Sequence, residues 1–338
     1  MSGLTKGIII FSIIFSLCFF FGCIEENYNS QEKVLSGDYP GETSAGQSPA
    51  LFSKGFVSTN LSERDVAISP NGKEFYYTIW TGTFGVTMGI KKKDGKWGPP
   101  EVVPFSHKYS NLEPFITNDG KKLFFSSNRP IEPDGKIKDY DIWFVENSDT
   151  GWGDPLNLGS PVNSGGNEFY PSLADNGNIY FTAARPDSYG SEDIYLSEYK
   201  NGKYSNPVNL GTAVNSKTDE FNAFVSPDES YLIFSNWGRD DGLGGGDLYI
   251  SFNNNGEWIP AINLGEKINS SALDYCPFVT SDGKYFFFTS RRTSVNMENQ
   301  TAKDYKSLKK MLNSPLNGQN DIYWMKAGFI DSLKTMKH

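Results

Sequence analysis

The chain has 338 residues, is 38% hydrophobic and carries a formal net charge of −9 at neutral pH. This acidic balance, without a basic stripe along the chain, argues against a nucleic-acid partner, because surfaces that bind nucleic acids concentrate Lys and Arg. Aromatic residues make up 15% of the chain and are accompanied by 34 Gly and 18 Pro, which favours an all-β fold rich in turns.

Residues 1–22 have the pattern of a bacterial secretion signal. Lys6 precedes an apolar run over residues 8–21, which is too short for a membrane span of about 20 apolar residues. The run ends at Phe20-Phe21-Gly22-Cys23, which resembles the bacterial lipobox. The resemblance implies that Cys23 is lipidated, which makes the protein a membrane-anchored lipoprotein of the cell envelope, in the periplasm or on the outer surface. The alternatives are a signal peptide cut elsewhere and an uncleaved anchor.

A flexible tether is expected over residues 23–48. This stretch is rich in Asn, Ser, Gly, Glu and Pro and has no apolar periodicity, which is typical of a flexible linker. The folded part is then expected over residues 49–330. It contains a single cysteine, Cys276, so no disulfide can form within it, and we expect a buried, inert thiol.

Five segments of the chain repeat a strand–turn–strand unit, and four of them place Asn-Gly or Asp-Gly at the turn, a strong hairpin signal. They are residues 66–77, 114–125, 171–181, 223–234 and 277–288. In four repeats a third strand follows that opens with Asp, and in three of these an aromatic residue stands eleven positions later, at Trp152, Tyr204 and Trp258. Repeated units of four strands predict the blades of a β-propeller.

The last repeat reaches its third strand at Asp321 without a fourth strand after it. Residues 49–59 align with residues 260–270, which lead from the outer strand of the preceding repeat towards the next one. We therefore expect the N-terminal segment to supply the outer strand of the last blade and to close the ring. The predicted blades cover residues 63–110, 111–167, 168–219, 220–273, and 274–326 together with 49–59.

Five blades are favoured, and six remain open if residues 329–334 or the insert at 293–320 build more sheet. The insert places Tyr305, Leu308, Met311 and Leu312 at helical spacing, which predicts a helix over residues 301–312. As the one element outside the repeat, this helix could form a plug or lid over one face of the ring, or it could only pack on the fifth blade.

The repeat unit resembles the TolB-like (WD-like) β-propeller family over residues 49–326. The resemblance rests on the Ser-Pro-Asn-Gly-Lys and Asn-Asp-Gly-Lys-Lys-Leu-Phe-Phe hairpins, the Asp-Ile-Tyr strand and the Asn-Leu-Gly segment that follows it. It implies the propeller fold. Members of the family include periplasmic scaffolds, peptidase-associated propellers and many lipoproteins, so the resemblance implies no particular activity.

Four repeats carry an arginine after the second strand and an aspartate at the start of the third, and the first repeat has Thr81 and Val86 instead. The four pairs are Arg129 with Asp141, Arg185 with Asp193, Arg239 with Asp247 and Arg292 with Asp321. Because both partners are absent together, we expect one structural ion pair per blade. The alternative is a ring of arginines that binds an anionic ligand.

A second set of repeated residues precedes the innermost strands and should lie near the mouth of the central channel. It consists of Glu63, Glu168, Glu220 and Asp274, with Asn111 at the matching position of the second blade. A structural role is favoured because catalytic residues differ between blades, as one substrate is asymmetric. The acids could alternatively bind a cation, preferably calcium. Two of them could act as the acid and base of an inverting glycosidase, whose carboxyl groups lie about 6.5–9.5 Å apart.

The sequence therefore favours a binding or scaffold module of the cell envelope that recognises a protein or glycan partner. The rival class is an enzyme, a carbohydrate-active hydrolase or lyase that uses acids at the channel mouth. No catalytic residue is assigned by the sequence, and calcium is the only cofactor considered.

Overall fold

The computed structural model of the protein describes residues 35–132, 134–294 and 304–335. The signal segment 1–22 and Cys23 lie outside these residues, so their assignments stay predictions. Within the described part of the chain, no helix is both long and apolar enough to cross a membrane. The strands form one antiparallel sheet per repeat, and these five sheets are the blades of a propeller.

The strands follow the predicted repeats. Strand β1 (Ala50–Leu51) precedes blade 1, which contains β2 (Glu63–Ile68), β3 (Glu74–Trp80), β4 (Gly85–Lys93), β5 (Lys96–Trp97) and β6 (Glu101–Val102). Blade 2 contains β7 (Asn111–Ile116), β8 (Lys122–Ser127), β9 (Asp141–Ser148), β10 (Gly151–Trp152) and β11 (Leu156–Asn157). A short 3-10 helix, Pro104–Ser106, lies between these two blades.

The remaining blades have the same order. Blade 3 contains β12 (Glu168–Leu173), β13 (Ile179–Ala183), β14 (Asp193–Ser197), β15 (Tyr199–Lys200), β16 (Lys203–Tyr204) and β17 (Val208–Asn209). Blade 4 contains β18 (Asp219–Val225), β19 (Tyr231–Trp237), β20 (Asp247–Asn254), β21 (Glu257–Trp258) and β22 (Ile262–Asn263). Blade 5 contains β23 (Asp274–Val279), β24 (Tyr285–Ser290) and β25 (Asp321–Lys326), with helix α1 (Tyr305–Leu312) before β25 and helix α2 (Phe329–Thr335) after it.

The turn between the first two strands of each blade explains why the repeat folds as a hairpin. Gly72, Gly120, Gly177 and Gly283 adopt positive φ at this turn, a conformation that glycine reaches without a steric penalty. Blade 4 lacks the glycine and holds Glu229 in the same region, at φ 57°. The Glu229 carboxylate accepts hydrogen bonds from Asn176, Asn178 and Tyr180 of blade 3, and these contacts compensate for the unfavourable backbone.

The predicted closure of the ring by the N-terminal strand is confirmed. Strand β1 pairs antiparallel with β25, with Ala50 opposite Trp324 and Leu51 opposite Tyr323. The backbone N–H of Phe52 continues this pairing by donating to the Ile322 carbonyl (2.8 Å). The ring therefore has five blades, and the sixth blade left open by the sequence does not form, because residues 329–334 lie in helix α2.

The predicted tether is wrong for its last part, residues 35–48. Leu35 forms a β-bridge with Trp97, and the Trp97 indole N–H donates to the Gly37 carbonyl (3.2 Å). The Tyr39 ring packs against Trp324 with centroids 5.7 Å apart. A few irregularly spaced apolar side chains are enough to hold this polar segment against the blades, although they form no periodic pattern in the sequence. The folded domain therefore begins before Pro49.

The predicted helix in the insert is confirmed as α1, which begins one turn later than expected. Asp304 caps its N-terminus, and Ser307 completes a capping box with it. Tyr305, Leu308 and Leu312 are exposed, so the helix does not bury its apolar residues in blade 5. Leu312 and Trp80 line the same cavity, which places the end of α1 beside the channel mouth.

Candidate functional site

The central channel is surrounded by the innermost strands β2, β7, β12, β18 and β23, which contact one another around the ring. Each of these strands contains a bulge, and at the bulge one residue adopts a left-handed backbone conformation with φ between 50° and 62°. This conformation is unfavourable for residues with a side chain, yet all five blades retain it. The residues are Asp65, Glu113, Tyr170, Asn222 and Cys276. Five equivalent positions thus carry five different side chains, and they meet in the channel.

The Glu113 carboxylate is the centre of this group. Its Oε1 accepts hydrogen bonds from Arg64 (2.7 Å) and Asn222 (3.1 Å). Its Oε2 accepts from the Tyr170 backbone N–H (2.7 Å) and the Ser126 hydroxyl (3.2 Å). One buried carboxylate therefore connects donors from four blades, and the floor of the channel is a single hydrogen-bonded unit.

Arg64 is the only guanidinium that binds this group in the described residues. Its Nε donates to Asp65 (2.8 Å), and its guanidinium lies over the Tyr275 ring, 5.0 Å from the centroid. Burial raises the pKa of Glu113 to about 7, although the Arg64 charge acts in the opposite direction. Burial also raises the pKa of Cys276, so its thiol stays protonated and is a poor nucleophile.

Above this floor lies a cavity of about 380 Å³, which we call the mouth pocket. Arg64, Glu113 and Asn222 form its floor. Its walls are largely apolar and aromatic and consist of Trp80, Leu112, Tyr140, Phe169, Phe221, Trp237, Leu273 and Tyr275. Charged residues at the wall are Glu192, Asp219 and Arg291. The pocket opens at the end of the ring where the inter-blade loops and α1 lie.

The opposite end of the channel is closed by apolar side chains. Phe115, Phe224 and Phe278 are buried there and surround a cavity of only about 20 Å³. Phe224 and Phe278 make an edge-to-face contact with centroids 5.8 Å apart. This end of the channel therefore offers far less space for a ligand than the mouth pocket does.

The repeated acids lie beside the channel rather than in the mouth pocket. Glu63, Glu168, Glu220 and Asp274 are buried, and each accepts hydrogen bonds from the backbone N–H and hydroxyl of a residue four positions earlier. These partners are Thr59, Ser164, Ser216 and Ser270. The acids thus cap the loop that enters each innermost strand. Among the residues that the structure describes, no three His, Cys, Asp or Glu side chains are grouped so as to hold a metal ion.

The prediction that each arginine pairs with the aspartate of the third strand is wrong. The arginines bind the innermost strand instead: Arg185 contacts Glu168 (3.5 Å), Arg239 contacts Glu220 (2.9 Å), Arg292 contacts Asp274 (3.0 Å), and Arg129 donates to Asn111 (2.6 Å). The aspartates accept from nearby loops: Asn157 donates to Asp141, Asn209 to Asp193, and the N–H groups of Leu243 and Leu316 to Asp247 and Asp321. The second strand lies between the first and the third, so its terminal arginine can reach either neighbour. The joint presence of the arginine and the aspartate in four repeats does not show which of the two strands the arginine contacts.

The residues that form the channel floor were not predicted from the sequence. A signal is present, because the residue two positions after each repeated acid or Asn111 differs in every blade, although the acid before it recurs in four blades. What the sequence does not show is the bulge, since Tyr, Glu and Cys rarely adopt left-handed backbone conformations. The alternation of inward and outward side chains in a regular strand does not show that the residues at this position of the five blades come together in the channel.

Glu63 is the one repeated acid whose blade lacks the arginine. We therefore expect the effect of replacing Glu63 on stability to depend on pH. Burial raises the pKa of Glu63 to about 7, and the hydrogen bonds from Thr59 only partly oppose this. Because the folded state keeps this proton to a higher pH than the unfolded state, its stabilising effect is present at low pH and lost as pH rises through about 7. Glu63→Gln should therefore raise the melting temperature by about 2 °C at about pH 8 and change it little near pH 4.

The matched control is Glu220→Gln, which leaves Arg239 without its carboxylate. We expect it to lower the free energy of unfolding by about 3 kcal/mol at neutral pH, because a buried charge loses its partner. Thermal unfolding followed by circular dichroism at both pH values measures both effects. Equal destabilisation by the two variants at about pH 8 would contradict the role given to the arginines.

No family model matches the chain, and no curated protein matches it. Among solved structures it is similar to a putative TolB from Agrobacterium tumefaciens, with 16% identity, a TM-score of 0.47 and coverage of 79% of this chain and 90% of that one. It is similar to a thermostable family-43 glycoside hydrolase, with 12% identity, a TM-score of 0.50 and coverage of 82% and 92%. It is also similar to an alpha-L-arabinofuranosidase from Podospora anserina, with 11% identity, a TM-score of 0.46 and coverage of 87% and 96%. At these identities the likeness concerns the fold alone.

Proposed function

We propose that this protein is a binding propeller of the cell envelope that holds the end of a glycan in the mouth pocket. One observation carries the proposal. The five blades share the same order of strands, but at the bulge of the innermost strand they carry five different residues, and two of these, Glu113 and Asn222, join Arg64 in the polar floor of the pocket. A symmetric scaffold with an asymmetric centre fits the recognition of one asymmetric ligand.

The shape and chemistry of the mouth pocket favour a small group over a flat protein surface. Its volume of about 380 Å³ lies within the range of about 300–1,000 Å³ that is typical of small-molecule sites. Phe169, Phe221 and Trp237 offer ring faces, while Arg64 and Asn222 offer polar groups below them. A sugar ring has an apolar C–H face and a polar hydroxyl edge, so it matches this combination of wall and floor.

The hydrogen bonds of the floor favour binding over hydrolysis. Asp65 accepts from Arg64 through one oxygen and from the Glu113 backbone N–H (3.1 Å) through the other. Both oxygens of Glu113 are likewise occupied by protein donors. A glycosidase needs one carboxyl group that protonates the leaving oxygen and another that activates water or attacks carbon. Asp65 and Glu113 are therefore poorly placed for either task, because protein donors already bind their oxygens.

The assignment to the cell envelope is supported by the N-terminal sequence. The basic residue, the short apolar run and the lipobox-like ending at Cys23 predict secretion followed by lipidation. A lipid on Cys23 gives the membrane as the first partner, and the glycan in the mouth pocket is the second.

A glycan array followed by titration tests the proposal. The full-length protein in detergent is screened on the array, and glycans that bind are titrated while tryptophan fluorescence is recorded, because Trp80 and Trp237 line the pocket. Phe221→Ala removes one aromatic wall and should weaken binding by up to about tenfold, as an aromatic contact contributes about 0.5–1.5 kcal/mol. Phe144→Ala, on the outer side of blade 2, is the matched control and should leave the affinity unchanged.

Two results would overturn the proposal. Binding that is equally strong in Phe221→Ala and the parent would place the ligand outside the mouth pocket. Turnover of a bound glycan by the parent, lost in Glu113→Gln, would replace the binding module with the hydrolase or lyase alternative.

A further inference from the structure

The wall of the mouth pocket between blades 3 and 4 is acidic. Glu192 lies just before β14, and Asp219 opens β18 of the next blade; both line the pocket. The Ser191 backbone N–H donates to the Asp219 carboxylate (2.8 Å) and thereby fixes the loop of blade 3 to blade 4. Gly190 permits this approach, because a Cβ at this position would overlap the Thr218 carbonyl. The two carboxylates are therefore held on the same side of the pocket by the fold.

Neither carboxylate has a cationic partner within the described part of the chain. The ion pairs there involve other acids, and Arg64 is already bound to Asp65 and Glu113. Burial, together with the negative charge of Asp219, raises the pKa of Glu192. The acidic wall is thus a place where a positive charge from outside would relieve repulsion between two carboxylates.

The cations of the pocket lie on other blades than the two acids. Arg64 belongs to blade 1 and Arg291 to blade 5, which borders blade 4. Arg291 donates its Nε–H to the Asn320 side chain (3.0 Å) rather than to a carboxylate. The mouth pocket is therefore polarised, with uncompensated negative charge on the side of blades 3 and 4.

Aromatic rings flank the acidic wall. Trp237 stands directly opposite Asp219 in the pairing of β18 with β19, and its ring is 60% exposed. Phe221, two residues beyond Asp219 on the same strand, lines the pocket as well. Aromatic faces next to carboxylates are the combination that binds ammonium groups, since the ring faces are electron-rich and attract cations.

We infer that the ligand of the mouth pocket carries a free amino group, which is held as an ammonium ion between Glu192 and Asp219 and against Trp237. This inference rests on the proposed glycan-binding function and narrows it to sugars with an unacylated amine. The ammonium group donates hydrogen bonds to both carboxylates, while the sugar ring extends towards Phe221 and the polar floor.

A pair of oligosaccharides that differ only in N-acetylation tests the inference. Isothermal titration of the full-length protein in detergent compares a β-1,4-linked glucosamine trimer with its tri-N-acetylated form, at a pH where the amines are protonated. The amine form should bind about tenfold tighter or more, and its affinity should fall as salt is added, because the interaction is ionic. Glu192→Gln and Asp219→Asn should each weaken the amine form about tenfold and leave the acetylated form unchanged.

Asp240→Asn is the matched control, because it removes one negative charge from an exposed loop of blade 4 that does not line the pocket. It should leave the affinity for the amine form as in the parent, and thermal unfolding checks that all three variants are folded. If the acetylated trimer binds as tightly as the amine form, the inference fails while glycan binding stands. If neither trimer binds and the array finds only neutral or acidic glycans, the inference likewise fails and the proposed function is kept. If no glycan binds at all, both are overturned.

Discussion

Replacing Phe52 by alanine is expected to lower the free energy of unfolding by about 3–5 kcal/mol, a large part of the stability of a typical domain. The Phe52 side chain is fully buried where the N-terminal strand meets blades 1 and 5. Its ring stacks on Phe75 of blade 1 (5.1 Å between centroids) and makes edge-to-face contacts with Phe287 (5.1 Å) and Trp324 (5.2 Å) of blade 5. The substitution therefore leaves a cavity at the joint that closes the ring.

Chemical denaturation followed by tryptophan fluorescence measures this effect. Tyr199→Ala is the control, because it removes a partly exposed aromatic ring whose ring partner is Tyr204 in the hairpin of β15 and β16, and it should cost about 0.5–1.5 kcal/mol. A loss for Phe52→Ala as small as that of the control would show that the N-terminal strand contributes little to the closure.

Replacing Arg64 by methionine should destabilise the protein by about 3–5 kcal/mol at about pH 8, because two buried carboxylates lose their shared counter-ion. Without the guanidinium, the pKa of Glu113 rises further above its unfolded value. In the variant, Glu113 stays protonated in the folded state up to a higher pH. The loss of stability is therefore largest at high pH, where the carboxylate must ionise, and it diminishes as pH falls. The difference in melting temperature between parent and variant should therefore be large at about pH 8 and small near about pH 4.

Two further variants make this result specific. Arg64→Met combined with Glu113→Gln removes one of the two negative charges and should recover part of the stability at high pH. Arg291→Met, which removes an exposed arginine from the same pocket, should change the free energy of unfolding by about 0.5 kcal/mol or less. A penalty for Arg64→Met that is independent of pH would point to lost packing on Tyr275 as its cause instead of lost charge compensation.

The fold was accessible from the sequence because its strongest determinants are local. The glycine turns at Gly72, Gly120 and Gly283 fix the hairpins, and the alternation of aromatic and β-branched residues fixes the strands. The closure was accessible too, because residues 49–59 align with residues 260–270 of a complete blade. The order of residues 35–48 could not be predicted, because isolated residues such as Leu35 and Tyr39 pack on distant strands and leave no local periodicity.

The candidate site was harder to predict from the sequence, because it depends on which strands become neighbours in the fold. Glu168 and Glu220 were candidate site residues because they recur between blades, but in the structure they cap loops and bind arginines. Glu113 has no glutamate at the equivalent position of any other blade, and its importance follows only from its four hydrogen-bond donors, which come from separate blades. Glu192 and Asp219 were overlooked for the same reason, since their proximity results from the packing of blade 3 on blade 4.

The pairing of β1 with β25 has a consequence for biogenesis. Strand β1 is synthesised long before its partner, since more than 260 residues separate Leu51 from Tyr323. Each blade except the last can assemble from contiguous chain, whereas blade 5 must await both termini. Ring closure is thus the slow, non-local step of folding, because a long loop must be ordered before its contacts form. The nascent polypeptide therefore cannot adopt its closed ring until β25 has been synthesised.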